Sequence, residues 1–114
     1  MSPSADCLFC KIVEGEVPAD VVAQDEHAVA FRDISPQAPT HVLVIPRVHQ
    51  PDVGSLAEAE PEAVVGLLRL ARRVADEAGG SYRLVFNTGA DAHQTVFHCH
   101  GHVLAGRSLG WPPG

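Results

Sequence analysis

The chain has 114 residues, 46% of them apolar and 19% charged, a size and balance that fit one packed domain over residues 1–114 and exclude a disordered or fibrous polymer. Eight basic against fourteen acidic residues leave a net charge of −6 with histidine neutral, and no cationic run offers the footprint that a phosphate backbone requires, so nucleic acid is not an expected partner. No stretch approaches the roughly 20 apolar residues of a membrane span, and Met1 to Cys7 has neither the basic start nor the apolar centre of a secretory signal. No membrane partner and a cytoplasmic location are the resulting expectations.

Leu8 to Glu14 reads as a short amphipathic helix or turn, broken by Gly15 and Pro18, whose apolar residues Leu8, Phe9 and Ile12 need cover. Asp20 to Gln24 and His27 to Arg32 are β-prone runs joined by Asp25-Glu26, a hairpin pattern. A proline-bearing loop over Asp33 to Pro39 leads into His41 to Ile45, which reads as a buried strand closed by Pro46. Ser55 and Glu58 have capping-box spacing, and Pro61 suits the first turn of a long helix ended by Gly79-Gly80. Its predicted buried face is Val64, Leu67, Leu68, Ala71, Val74, Ala75 and Ala78. Tyr82 to Phe86 and His98 to Leu104 are the remaining strands, separated by a polar loop over Asn87 to His93. The order gives an α+β fold, a mostly antiparallel sheet of about five strands with one long helix and a short N-terminal helix.

Seven histidines are many for this length, and His98, His100 and His102 stand at alternate positions. In an extended strand such residues share one face, so the three rings would line one surface, with Cys99 turned away from them. Three readings fit that row. Neutral imidazoles can hold a catalytic zinc, one imidazole can attack phosphorus while its neighbours orient it, or the rings can stand on a solvated face. Cys7 and Cys10 form a C-x-x-C pair, whose spacing lets both sulfurs bind one metal; two free cysteines at a helix start are the alternative.

His98-Cys99-His100-Gly101-His102-Val103-Leu104 resembles the signature of the histidine-triad (HIT) nucleotide-binding family. The resemblance extends through Phe31-Arg32-Asp33 to Pro46, Asn87 with Gly89, Gln94-Thr95-Val96 and Trp111 to Gly114, and these blocks look like the purine nucleoside phosphoramidase branch. It implies that His100 is the nucleophile that takes the nucleotidyl group, with His98 and His102 supporting phosphate binding and His41 as a fourth histidine of the site. Asn87 and Thr95 would contact the phosphate or leaving group. Thr95 replaces a serine, which keeps a hydroxyl able to pass a proton to a departing amine. Asp33 would accept from the ribose hydroxyls, and Leu8, Phe9, Ile12, Phe31 and Ile34 would wall the purine.

Two positions depart from that pattern. Gly101 stands where a bulky apolar residue is expected and leaves a void unless a neighbour fills it. His93 stands where a glycine is expected, a strained choice if the loop needs a positive φ, and it could add a donor on the leaving-group side. The resemblance also implies a structural zinc on Cys7, Cys10, His49 and His98, no organic cofactor, and a homodimer in which Trp111 to Gly114 reaches toward the partner's site. The implied activity is hydrolysis of purine nucleoside 5′-phosphoramidates. The rivals are dinucleoside polyphosphate hydrolysis or nucleotidyl transfer by the same chemistry, a nucleotide-binding regulatory role with incidental catalysis, and a zinc hydrolase that uses the three triad histidines as ligands.

Overall fold

The computed structural model describes residues 6–114, so most of the stretch read as lacking a secretory signal lies outside the described residues. Helix α1 (Leu8–Val13) leads to strands β1 (Val21–Gln24), β2 (Ala28–Arg32) and β3 (Thr40–Pro46). Helices α2 (Val53–Ala59) and α3 (Pro61–Glu77) follow, then β4 (Tyr82–Val85), a 3₁₀ turn over Ala90–Ala92, and β5 (Gly101–Ala105). The strands form one sheet in the order β1-β2-β3-β5-β4, antiparallel at every junction. The expected α+β fold is what the chain adopts. Among the described residues no helix is long and apolar enough to cross a membrane.

Alternation along β2 and β3 sorts the core into two layers, because successive side chains leave opposite faces of a strand. Ala28, Ala30, Val42 and Val44 join Val103 and Cys99 under α3, while Val29, Phe31, Leu43 and Ile45 join Phe9 of α1 on the other face. The second face carries the candidate site.

The structure corrects the helix expectation. Asp52, not Ser55, caps the first helix, its carboxylate accepting from the Ser55 N–H at 2.8 Å. Glu60 at φ −147° then separates two helices, since Pro61 disfavours helical geometry in the residue before it. The buried face of α3 is also turned from the predicted one. It presents Ala63, Gly66, Leu67, Leu70, Ala71, Val74 and Ala75, leaving Leu68 43% exposed. Close approach explains the turn: a Cβ on Gly66 would lie 2.5 Å from that of His27, so the helix packs tightly along its small residues.

The last strand is shorter than predicted, and His98 and His100 lie before it. Continued antiparallel pairing would set Cys99 opposite Pro46, which has no N–H to give, so the ladder stops at Gly101 with Val44. The backbone is held there by the Cys99 N–H, which donates to the Gln50 carbonyl at 2.7 Å. The side-chain alternation nevertheless persists, with Cys99 and Val103 in the layer under α3. The void predicted at Gly101 is filled: a Cβ there would stand 2.9 Å from Leu84 and 3.0 Å from Phe86.

Candidate active site and metal centre

A cavity of about 480 Å³ opens between α1 and the sheet, a volume within the usual range for small-molecule sites. Of the residues named from sequence, Leu8, Phe9, Ile12, Phe31, Asp33, Ile34, Thr95, His100 and His102 line it. Val17, Pro18, Ala19, Leu43 and Val96 also line it and were not anticipated. The lining is largely apolar, with the polar groups of Asp33, Thr95 and the two histidines among it. Ile34 sits at the rim, 99% exposed, because Asp33 accepts from the Ser35 N–H at 2.7 Å and the chain turns outward there.

Asn87, expected at the phosphate or leaving group, and His93, expected on the leaving-group side, are not among the lining residues of this cavity. They lie in the β4–β5 connection, where Gly89 at φ 88° and His93 at φ 68° take left-handed or glycine-favouring backbone. The positive φ that sequence reasoning feared for His93 is therefore real. Gln94 secures this loop from beneath: its Oε1 accepts from the Gly89 N–H at 2.9 Å, and its Nε2 donates to the Pro51 and Val96 carbonyls.

Hydrogen-bond partners fix the histidine tautomers, since a backbone N–H can only donate and a carbonyl can only accept. Gln37 N–H donates to His41 Nδ1 at 3.0 Å, so the neutral His41 ring carries its proton on Nε2. That nitrogen lies 2.9 Å from His102 Nδ1 and 3.5 Å from the Asp33 carboxylate. His102 Nδ1 accepts, which leaves the proton of the neutral His102 ring on Nε2. His100 Nδ1 donates to the His98 carbonyl at 2.8 Å, so the lone pair of its neutral ring is on Nε2. The His100 and His102 rings stand 5.1 Å apart, and His102 and His41 5.2 Å. Burial, reinforced by His100 and His41, pushes the His102 pKa down to about 4, and His93 is near enough to act in the same direction.

His98 is fully buried and faces a different neighbourhood. Its Nε2 donates to the Pro46 carbonyl at 3.0 Å, so its Nδ1 lone pair points at Cys7, Cys10 and His49. Burial, with the neighbouring His49 and His100, holds its pKa down at about 4, which keeps the ring neutral as a metal ligand must be. The donor atoms are spaced 3.1 Å (Cys10 to His49), 3.2 Å (His49 to His98) and 3.4 Å (His98 to each cysteine). A tetrahedral zinc with Zn–N about 2.0 Å and Zn–S about 2.3 Å would require edges of about 3.3 Å between nitrogens, about 3.5 Å from nitrogen to sulfur and about 3.8 Å between sulfurs. The donor set fits zinc in kind, number and spacing. Cys7 also caps α1, its sulfur accepting from the Cys10 N–H at 3.3 Å. Cys99 is buried on the far layer, and burial pushes its thiol up to about 12, which leaves it unreactive.

Fold and site together define a small α+β protein in which a buried histidine relay opens into an apolar, ligand-sized cavity beside a Cys₂His₂ cluster. Residues 14–109 match the model of the HIT domain. The chain is 42% identical over 108 residues to a purine nucleoside phosphoramidase of Escherichia coli K12, covering 92% of this chain and 91% of that protein. A 14 kDa zinc-binding protein of Zea mays is 47% identical over 112 residues, covering 94% and 87%. The crystal structure of a HIT family hydrolase from Legionella pneumophila superimposes with a TM-score of 0.90 at 46% identity, covering 96% of this chain and all of that one. The chain belongs to the HIT family.

Proposed function

We propose that this protein hydrolyses purine nucleoside 5′-phosphoramidates through a nucleotidyl intermediate on His100. The observation that carries the reading is the 2.8 Å hydrogen bond from His100 Nδ1 to the His98 carbonyl, in a ring that lines the cavity. It leaves Nε2 as the nucleophilic nitrogen. Identity to the E. coli phosphoramidase over nearly all of both chains supports the substrate class.

In this reading the purine lies between Leu8, Phe9, Ile12 and Phe31, with Ile34 at the edge, and Asp33 accepts from the ribose hydroxyls. His100 Nε2 attacks the α-phosphorus, the P–N bond breaks, and the Thr95 hydroxyl relays a proton from solvent water to the departing amine. His102 Nε2–H donates to a phosphoryl oxygen as charge builds there, and His41 holds His102 in that tautomer. Water then attacks phosphorus and returns a proton to solvent, the P–Nε2 bond breaks to regenerate the neutral His100 ring, and a nucleoside monophosphate leaves. Asn87 and His93 serve the leaving-group side. Bound at Cys7, Cys10, His49 and His98, zinc supplies a structural cross-link.

The working form in this reading is a cytoplasmic homodimer of one-domain chains, with Trp111 to Gly114 of each reaching the other's site. Leu68 and Val65 on α3 and Tyr82 on the edge strand β4 are exposed apolar residues suited to the contact. Mass spectrometry of enzyme quenched after brief mixing with adenosine 5′-phosphoramidate tests the chemistry. An added adenylyl group on wild type and none on His100→Ala is the expected result; near-normal turnover by His100→Ala refutes the covalent route.

A further inference from the structure

We propose that the Cys7–Cys10–His49–His98 centre is a positioning device for the nucleotide cavity, so that metal occupancy and nucleotide affinity are thermodynamically coupled. The inference rests on the functional reading above and adds a role to a centre otherwise read as a staple.

Two physical routes join the centre to the cavity. The first runs through His98. Its ring is held at both nitrogens, by the cluster at Nδ1 and by the Pro46 carbonyl at Nε2, and its own carbonyl receives the His100 Nδ1–H. A shift of the His98 ring therefore moves the acceptor that sets the tautomer and direction of His100. The second runs through Phe9, which stands between the two cysteines in sequence. Its ring meets His98 at 6.0 Å, His100 at 5.1 Å and Phe31 at 5.6 Å, each edge-on, and it lines the cavity.

Helix α1 makes the second route matter. It has six residues, far short of the length at which a helix holds itself together in water. It supplies Leu8, Phe9 and Ile12 to the cavity wall, yet its backbone makes little close approach to any strand or other helix. Its anchors are the buried Phe9 and Cys10, the partly buried Ile12 and Val13, and the cluster at its start. In that cluster two imidazole nitrogens and two sulfurs converge within hydrogen-bonding distance, an arrangement that a cation between them stabilises and that loosens without one. Cys7, Cys10 and His49 are thus positioning residues for a wall they do not line.

Coupling of this kind is reciprocal: whatever factor the metal adds to nucleotide affinity, the nucleotide adds to metal affinity. The test is calorimetric titration of adenosine 5′-monophosphate into zinc-loaded and chelator-stripped full-length protein, with circular dichroism to follow the sheet. Binding at least about tenfold weaker in the stripped protein, restored by added zinc, is expected. His49→Ala should lose both metal and affinity, and His49→Cys, which keeps a ligand, should recover both. Equal affinity in folded loaded and stripped protein overturns the coupling while leaving the functional reading intact. No binding to the loaded protein refutes both. Should the stripped chain unfold, cobalt-substituted protein decides: a visible band that shifts when the monophosphate saturates the site supports the coupling, and an unmoved band overturns it.

Discussion

Two histidine clusters lie side by side in this chain, and they are built from the same residue type to opposite ends. Around His41, His102 and Asp33, each ring nitrogen with a lone pair faces an N–H, giving a chain of donors and acceptors that starts at the Gln37 N–H. Around His49 and His98, the lone pairs converge with two sulfurs on one point. The first arrangement conducts hydrogen-bond polarity; the second collects ligands. What separates His98 from His100 is which ring nitrogen meets a carbonyl: at His98 it is Nε2, which leaves the Nδ1 lone pair toward Cys7, Cys10 and His49, and at His100 it is Nδ1, which leaves the lone pair on Nε2. The same local device leaves the lone pairs of these two triad members on opposite ring nitrogens.

Substitutions should separate the clusters. The largest effect is expected from His100→Ala, which should cost at least about a thousandfold in turnover of a phosphoramidate while bound zinc, measured by elemental analysis, stays at the wild-type level. Cys10→Ser should differ in kind, losing the metal and about tenfold in nucleotide affinity while its turnover at saturating substrate stays far above that of His100→Ala. It should also lower the melting temperature by about 10 °C or more, the loss expected for a cross-link worth about 2 kcal/mol or more in a chain of this size. If the two variants lose activity and zinc together and to the same degree, the clusters are one unit and the division is wrong.

A smaller effect is expected at Gly101, between His100 and His102 on the opposite face. Gly101→Leu would drive a side chain into Leu84 and Phe86 and should destabilise by about 1–3 kcal/mol in denaturant titration. The strain should fall on the relay rather than on the metal ligands. The last effect is absent at neutral pH and appears only in acid. His102 titrates near 4 in the folded chain against 6.5 for an unperturbed histidine, so the unfolded chain binds more protons between those values. Its contribution to stability is full above pH 6.5 and is lost as pH falls toward 4. The melting temperature of His102→Gln, followed from pH 7 to pH 4, should fall less steeply than that of wild type.

Much of this was legible in the residues. The hairpin around Asp25-Glu26, the buried β3 and the short α1 follow from turn chemistry and apolar runs, and all three are present. The row of histidines was legible as a shared face but not as a strand. Pro46 ends the ladder from across the sheet, and a register between residues 53 positions apart is invisible to local pattern. The division into α2 and α3 was within reach, since Pro61 signals a break at Glu60 as clearly as it signals a helix start. The face of α3 was not, because the close approach at Gly66 is set by His27 on the sheet side. Asn87 rests on resemblance and His93 on a departure from it, and from that connection Thr95 and Val96 line the cavity.

The most direct test of the two-cluster account is a crystal structure of the zinc-loaded protein with adenosine 5′-monophosphate. The account predicts one metal ion ligated by Cys7, Cys10, His49 and His98, and a phosphate facing His100 Nε2 with its ribose on Asp33. A metal ion held by His100, or a nucleotide bound out of reach of that ring, would contradict it.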